Sequence, residues 1–181
     1  IVLAPRGAGK TAQRRMVEAN AVKSGYLAVT YDRFEFGGTE KLSDITLQYH
    51  MRNIIIRILV AFISYLSESP DVIRKFSKEE KRQLAVFLQA YLGHLTGGDI
   101  QELLGELKSL PDKFKKFWHD NVRFMESAVN FVLKIYELET IDLPDVRQDE
   151  KRLSETYKYQ LETLIAFVRK IGFKSIYVLV D

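Results

Sequence analysis

The chain has 181 residues, 46% of them hydrophobic, which is enough for one substantial core. It contains no cysteine, so a disulfide framework is excluded and a cytoplasmic setting is expected. A net charge of +3 and a pI near 9.0 are too mild to argue for nucleic acid by themselves, and they leave that partner open.

In chain order, the apolar run Ile1-Val2-Leu3 reads as a short buried strand. A helix is expected over Lys10 to Lys23, with Met16, Val17 and Ala21 facing inward and Gly25 ending it. Tyr26 to Tyr31 reads as a second strand, and Asp32 to Asp44 as a polar loop containing Gly37-Gly38. From there the pattern is helical almost continuously to Ile171. Ile45 to Leu66 reads as one long helix. Ser77-Lys78-Glu79-Glu80 is a capping box that starts another. Asp99 is a candidate cap for a short helix through Leu107, and Pro111 is expected to begin a long one with apolar residues from Phe114 to Tyr136. A last helix carries Leu153, Tyr157, Leu161, Leu164, Val168 and Ile171 at spacings of three and four, closed by Gly172. The chain ends on Ile176 to Asp181, an apolar run suited to a parallel strand buried on both faces.

The most informative segment is Ala4-Pro5-Arg6-Gly7-Ala8-Gly9-Lys10-Thr11, a glycine-rich turn between a strand and a helix. Nucleotide phosphates carry charges that must be met where water is excluded. Backbone N–H groups of such a turn, the first amides of the helix and one lysine can meet them together. The pattern is the relaxed form of G-x-x-x-x-G-K-S/T, with Ala4 at the first position. Asp181, at the end of an apolar strand, supplies a carboxylate that can hold magnesium directly or through water.

These two segments resemble the Walker A and Walker B motifs of P-loop ATPases, and the loop is similar to those of the AAA-like, origin-recognition-like and STAND groups. The resemblance covers the two ends of the chain, some 30 residues with their flanks. It implies an α/β fold: a P-loop NTPase parallel sheet flanked by helices, here with a large all-helical insertion between the second strand and the Walker B strand. The nucleotide-binding core is then 1–44 with 173–181, and the insertion is 45–172. ATP and magnesium are the implied cofactors. On this resemblance Lys10 is expected to contact the β- and γ-phosphates, and Thr11 and Asp181 to be the magnesium ligands. The resemblance likewise implies that the backbone from Gly7 to Thr11 cradles the phosphates and that Ala12 adds a helix amide near the α-phosphate. Pro5 and Ala8 complete the loop, while Arg6 lies at its mouth, facing either nucleotide, neighbour or solvent.

The chain starts within one expected strand and stops on the last residue of another, so it reads as a piece of a larger protein. The resemblance then places the catalytic acid, sensor and arginine finger after Asp181. Three readings follow: an ATPase whose hydrolysis drives a conformational or assembly step, a nucleotide-binding module that does not turn ATP over, and a small-molecule kinase-like P-loop protein. The helical region is expected to meet a partner, whether DNA, RNA or protein, and a homo-oligomer is left open. Ile54 to Leu66 is too short for a membrane span and is interrupted by Arg57, so no transmembrane segment is expected. Lys113-Phe114-Lys115-Lys116-Phe117-Trp118 interleaves basic and aromatic residues, but its rings share one helical face, as in an ordinary amphipathic helix. His50, His94 and His119 lack metal-ligand spacing, and no Ser-His-Asp set stands out.

Overall fold

The computed structural model describes residues 9–31, 46–68, 70–93 and 150–180. The expectations at 1–8, 32–44, 99–107, 111–136 and 181 lie outside the described residues. The elements are α1 (Lys10–Lys23), β1 (Leu27–Tyr31), α2 (Leu47–Glu68), a 3-10 helix (Pro70–Lys75), α3 (Lys78–Leu92), α4 (Glu150–Lys170) and β2 (Ile176–Val180). The 3-10 turn was not legible in the periodicity; it carries the chain from α2 into the Ser77 capping box. There the Ser77 hydroxyl accepts from the Glu80 amide, and the Glu80 carboxylate accepts from the Ser77 amide.

β1 and β2 pair in parallel, with Leu27 opposite Ile176 and Tyr31 opposite Val180. Side chains alternate faces along a strand, and the contacts of β1 sort accordingly. Leu27 and Val29 join the main core with α2, and the Arg57 side chain lies 4.9 Å from the Tyr31 ring centre. Thr30 points the other way and donates to Glu18 of α1 at 3.2 Å. No residue of β1 is more than 3% exposed. One face of the strand is therefore covered by α1 and the other by the layer of α2, α3 and α4.

Both helices that enter the strands end in the same way. Gly25 (φ 82°) and Gly172 (φ 106°) adopt the left-handed conformation that a β-carbon disfavours. In α1, Gly25 N–H donates to Val22 and Tyr26 N–H to Ala21; in α4, Gly172 N–H donates to Arg169 and Phe173 N–H to Val168. These are Schellman caps, which satisfy the last carbonyls while reversing the chain. The two reversals are bonded together: Lys174 N–H donates to Gly25 O at 2.8 Å, and Leu27 N–H to Ser175 O at 3.0 Å. The parallel register is thus set before the strands begin.

α2 is the centre of the core. Ile55, Ile58, Leu59, Val60, Ala61, Phe62 and Ile63 are all at 0% exposure. Phe167 of α4 fills the space between layers, with ring centres 5.4 Å from Phe76, 6.2 Å from Phe62 and 6.3 Å from Phe87. Polar groups inside α2 are held locally. Ser64 donates to Val60 O at 2.7 Å, and Arg57 donates to Asn53 O while covering the Tyr31 ring. The helix covers nearly the stretch expected from Ile45 to Leu66, displaced by two residues toward its carboxyl end. Leu47–Leu66, 20 residues, is long and apolar enough to cross a membrane by length and composition, a test that the buried core helix of a soluble protein also passes. In the fold 61% of that stretch is buried, against β1, α3 and α4.

Two expectations are corrected. Met16 (60% exposed) and Val17 (41%) of α1 face outward, whereas Glu18 and Ala21 face the sheet. The stripe that meets β1 is chosen by the Glu18–Thr30 bond and by the small Ala21, which lets the helix approach. β2 is only half-buried, with Tyr177 and Val180 exposed, in place of burial on both faces.

Truncating Phe167 to Ala should cost about 3–5 kcal/mol in urea unfolding, since three rings lose one partner. The Glu80 carboxyl is held below its ordinary value of 4.5, first by Lys170 and then by the Ser77 amide. A depressed carboxylate stabilises the fold above its unfolded pKa, and that contribution fades as pH falls below about 4.5. The Glu80→Gln variant keeps the cap but loses the charge, so its acid unfolding curve should show a shallower loss over that range.

Candidate functional site

The turn into α1 is made by Gly9, at φ 76° and ψ 16°. A β-carbon placed there would meet nothing within 4 Å, so glycine is required by the backbone conformation and not by crowding. Gln13 N–H donates to Gly9 O at 3.0 Å, which closes the first turn of the helix. The side chains of Lys10, Thr11 and Ala12 in that turn are exposed.

Helix amino ends usually have their amides met by a side chain or an acidic residue. α3 has Ser77 with Glu79 and Glu80, and at α2 the Thr46 hydroxyl accepts from Tyr49 N–H at 3.3 Å. α1 has neither: no side chain caps it, its first turn has no acid, and it begins with Lys10. A lysine opposes the positive end of the helix dipole. The turn concentrates positive charge, and its chemistry suits an anion supplied from outside the helix.

The fold gives this turn a definite place. α1 runs back along β1 after the Gly25 reversal, so its amino end points toward Tyr31 and Val180, where both strands end. The first turn of α2 lies at the same end. His50 Nδ1 is 2.9 Å from the Tyr31 hydroxyl, with the rings edge-on at 5.9 Å. Parallel sheets bind ligands in the crevice outside the carboxyl ends of their strands. Val180 is the last described residue of β2, and Asp181 follows it outside the described residues.

Of the residues singled out from sequence, Gly9, Lys10, Thr11 and Ala12 are brought together at the amino end of α1. Pro5, Arg6, Gly7, Ala8 and Asp181 lie outside the described residues. Sequence reasoning missed the Tyr31–His50 pair, the buried Glu18–Thr30 bond and the placement of Arg57. Glu18 had a signal, since it shares the inward stripe with Ala21 three residues on. Among the described residues no group of three or more His, Asp or Glu gathers as a metal site. Comparison with protein-family models, curated proteins and solved structures finds no match to the chain.

Gly9→Ala should destabilise the fold by about 1–2 kcal/mol, the cost of holding a β-carbon in the left-handed region. Gly9→Asn should cost less, because asparagine tolerates that region. Chemical unfolding of the three proteins at one pH checks the order.

Proposed function

We propose that the chain binds ATP with magnesium at the amino end of α1, and that in the intact protein hydrolysis of the β–γ bond drives a conformational or assembly step. The observation that carries this reading is the left-handed Gly9 opening an acid-free, lysine-led helix at the end of the sheet where parallel strands terminate. Its sequence setting, Gly7-Ala8-Gly9-Lys10-Thr11, is that of a phosphate cradle.

The donors fit magnesium, a hard cation that takes oxygen ligands: a hydroxyl from Thr11 and a carboxylate from Asp181. When bound, the ion neutralises charge on the β- and γ-oxygens. Lys10 supplies a second positive charge to the same phosphates. The amides of Gly9 to Ala12 add dipoles that need no reorganisation as charge shifts toward the leaving diphosphate. The exposed turn lets the phosphates approach the backbone without displacing a core side chain.

Calorimetric titration with ATP in the presence of magnesium should show binding that Lys10→Ala reduces at least tenfold, while its circular dichroism stays that of the parent. Thr11→Ala and Asp181→Asn should weaken the magnesium dependence more than binding of nucleotide alone. Equal ATP affinity in Lys10→Ala and the parent would overturn the reading. Binding without phosphate release by the intact protein would keep the site and discard hydrolysis.

A further inference from the structure

α1 meets the sheet along a stripe that is not made of large apolar residues. Glu18 and Ala21 are buried on it, and Glu18 takes the Thr30 hydroxyl of β1. Spacings of three and four continue the stripe toward the amino end through Arg14 to Lys10. Arg14 follows that pattern: it is half-buried with its Nε shut off from solvent, whereas its neighbour Arg15 is exposed. A helix laid on a strand calls for small or apolar side chains at such a place, as at Ala21. An arginine there costs desolvation unless anionic groups surround its guanidinium.

Position decides which anion Arg14 can serve. It stands four residues after Lys10, about 6 Å along the helix axis. Helix side chains lean toward the amino end, so the Arg14 stem leads back over the turn that Lys10 begins. That end of α1 points toward the carboxyl ends of β1 and β2. A guanidinium is a planar fork with five N–H donors. Glu18, one turn further along α1, offers a single carboxylate, and one of its oxygens accepts from Thr30. The fork has more donors than that carboxylate can take, and its shape matches a phosphate bidentately. Because Arg14 shares the stripe with Lys10, it lies on the side of the turn proposed for the β- and γ-phosphates. Ala12 lies on the opposite side of the helix.

We propose that Arg14 is a specificity-determining residue of the nucleotide site, its guanidinium forked on the terminal phosphate, so that the site prefers a nucleoside triphosphate to a diphosphate. This role rests on the proposed nucleotide reading of the α1 turn. It places the discrimination on the same helix that carries Lys10 and Thr11.

Calorimetric titration of the full chain with ATP and, separately, with ADP, both with magnesium, gives the ratio of the two affinities. The parent should prefer ATP. Arg14→Ala should weaken ATP about tenfold, as expected for the loss of a charged hydrogen-bonding partner, and leave ADP within about twofold. Inorganic tripolyphosphate and pyrophosphate should repeat the pattern, since the residue reads phosphate and not the base. Arg15→Ala should keep both affinities, and Lys10→Ala should weaken both. Circular dichroism and thermal unfolding report whether Arg14→Ala folds. If it does not, Arg14→Gln, which keeps most of the stem and loses the charge, carries the comparison. No preference for ATP in the parent, or equal weakening of ATP and ADP in the Arg14 variants, would show that Arg14 only supports the fold. With Lys10→Ala still losing nucleotide, that result overturns the role of Arg14 and keeps the site. Absence of nucleotide binding by the parent, or parent-like binding by Lys10→Ala, would overturn the nucleotide reading and the role of Arg14 with it.

Discussion

The structure depends on one constraint: β1 is buried on both faces. A strand that hides Leu27, Val29 and Tyr31 on one side and Ala28 and Thr30 on the other needs a layer above and a layer below. The lower layer is large because α2 is itself buried almost all round from Ile55 to Ile63, and it must be enclosed by α3 and α4. The upper layer, α1, is thin and polar by comparison. It meets the sheet through Ala21 and through the bond from Thr30 to Glu18. The two sides of β1 are therefore held by different forces: apolar area below, and a buried hydrogen bond with a small-residue contact above.

That asymmetry fixes polarity. Because α1 and α4 each reverse through a Schellman cap directly into a strand, their axes run against β1 and β2. The ends of the molecule then differ in chemistry. One gathers strand carboxyl ends with the amino ends of α1 and α2. The other gathers the two caps, the carboxyl ends of α1 and α4, and an excess of lysine and arginine. Neither pattern follows from composition, since the overall charge is only +3; it arises from the directions in which the helices run.

Much of this frame was legible because it rests on local rules. Gly25 and Gly172 mark helix ends that only a left-handed residue can make. The Ser77–Glu80 box fixes the start of α3, and Lys10 to Lys23 holds the helical extent that its sequence indicated. Which face of α1 turns inward was not legible, because hydrophobicity pointed to Met16 and Val17 while the partner on β1 is a threonine. The half-exposure of β2 was hidden for a related reason. Ile176 to Val180 is apolar at every position, and a uniform run carries no alternation to show which residues are covered. In the candidate site, Gly9 and Lys10 were legible from a motif. Tyr31 and His50 were not, because they meet only when β1 and α2 pack, 19 residues apart in sequence.

The light hold on α1 bears on how a ligand at its amino end would act. A core helix such as α2 has little stability to gain, because its contacts are already complete. α1 begins with Lys10 and continues with Arg14 and Arg15, and its first turn offers no acid to oppose them. A bound polyphosphate would supply the missing negative charge at the helix end. By mass action it would also stabilise the folded state by about 2.7 kcal/mol at a hundredfold excess over its dissociation constant. Added to the buried hydrogen bond and the small-residue contact that hold α1, occupancy would favour the folded state in which α1 is seated on β1. Thr30 would feel the change through Glu18. Its neighbour Tyr31 faces the opposite layer and bonds to His50, so β1 offers a short route from the α1 turn to the first turn of α2. A strand buried on both faces transmits such a shift because neither layer can move without disturbing its packing.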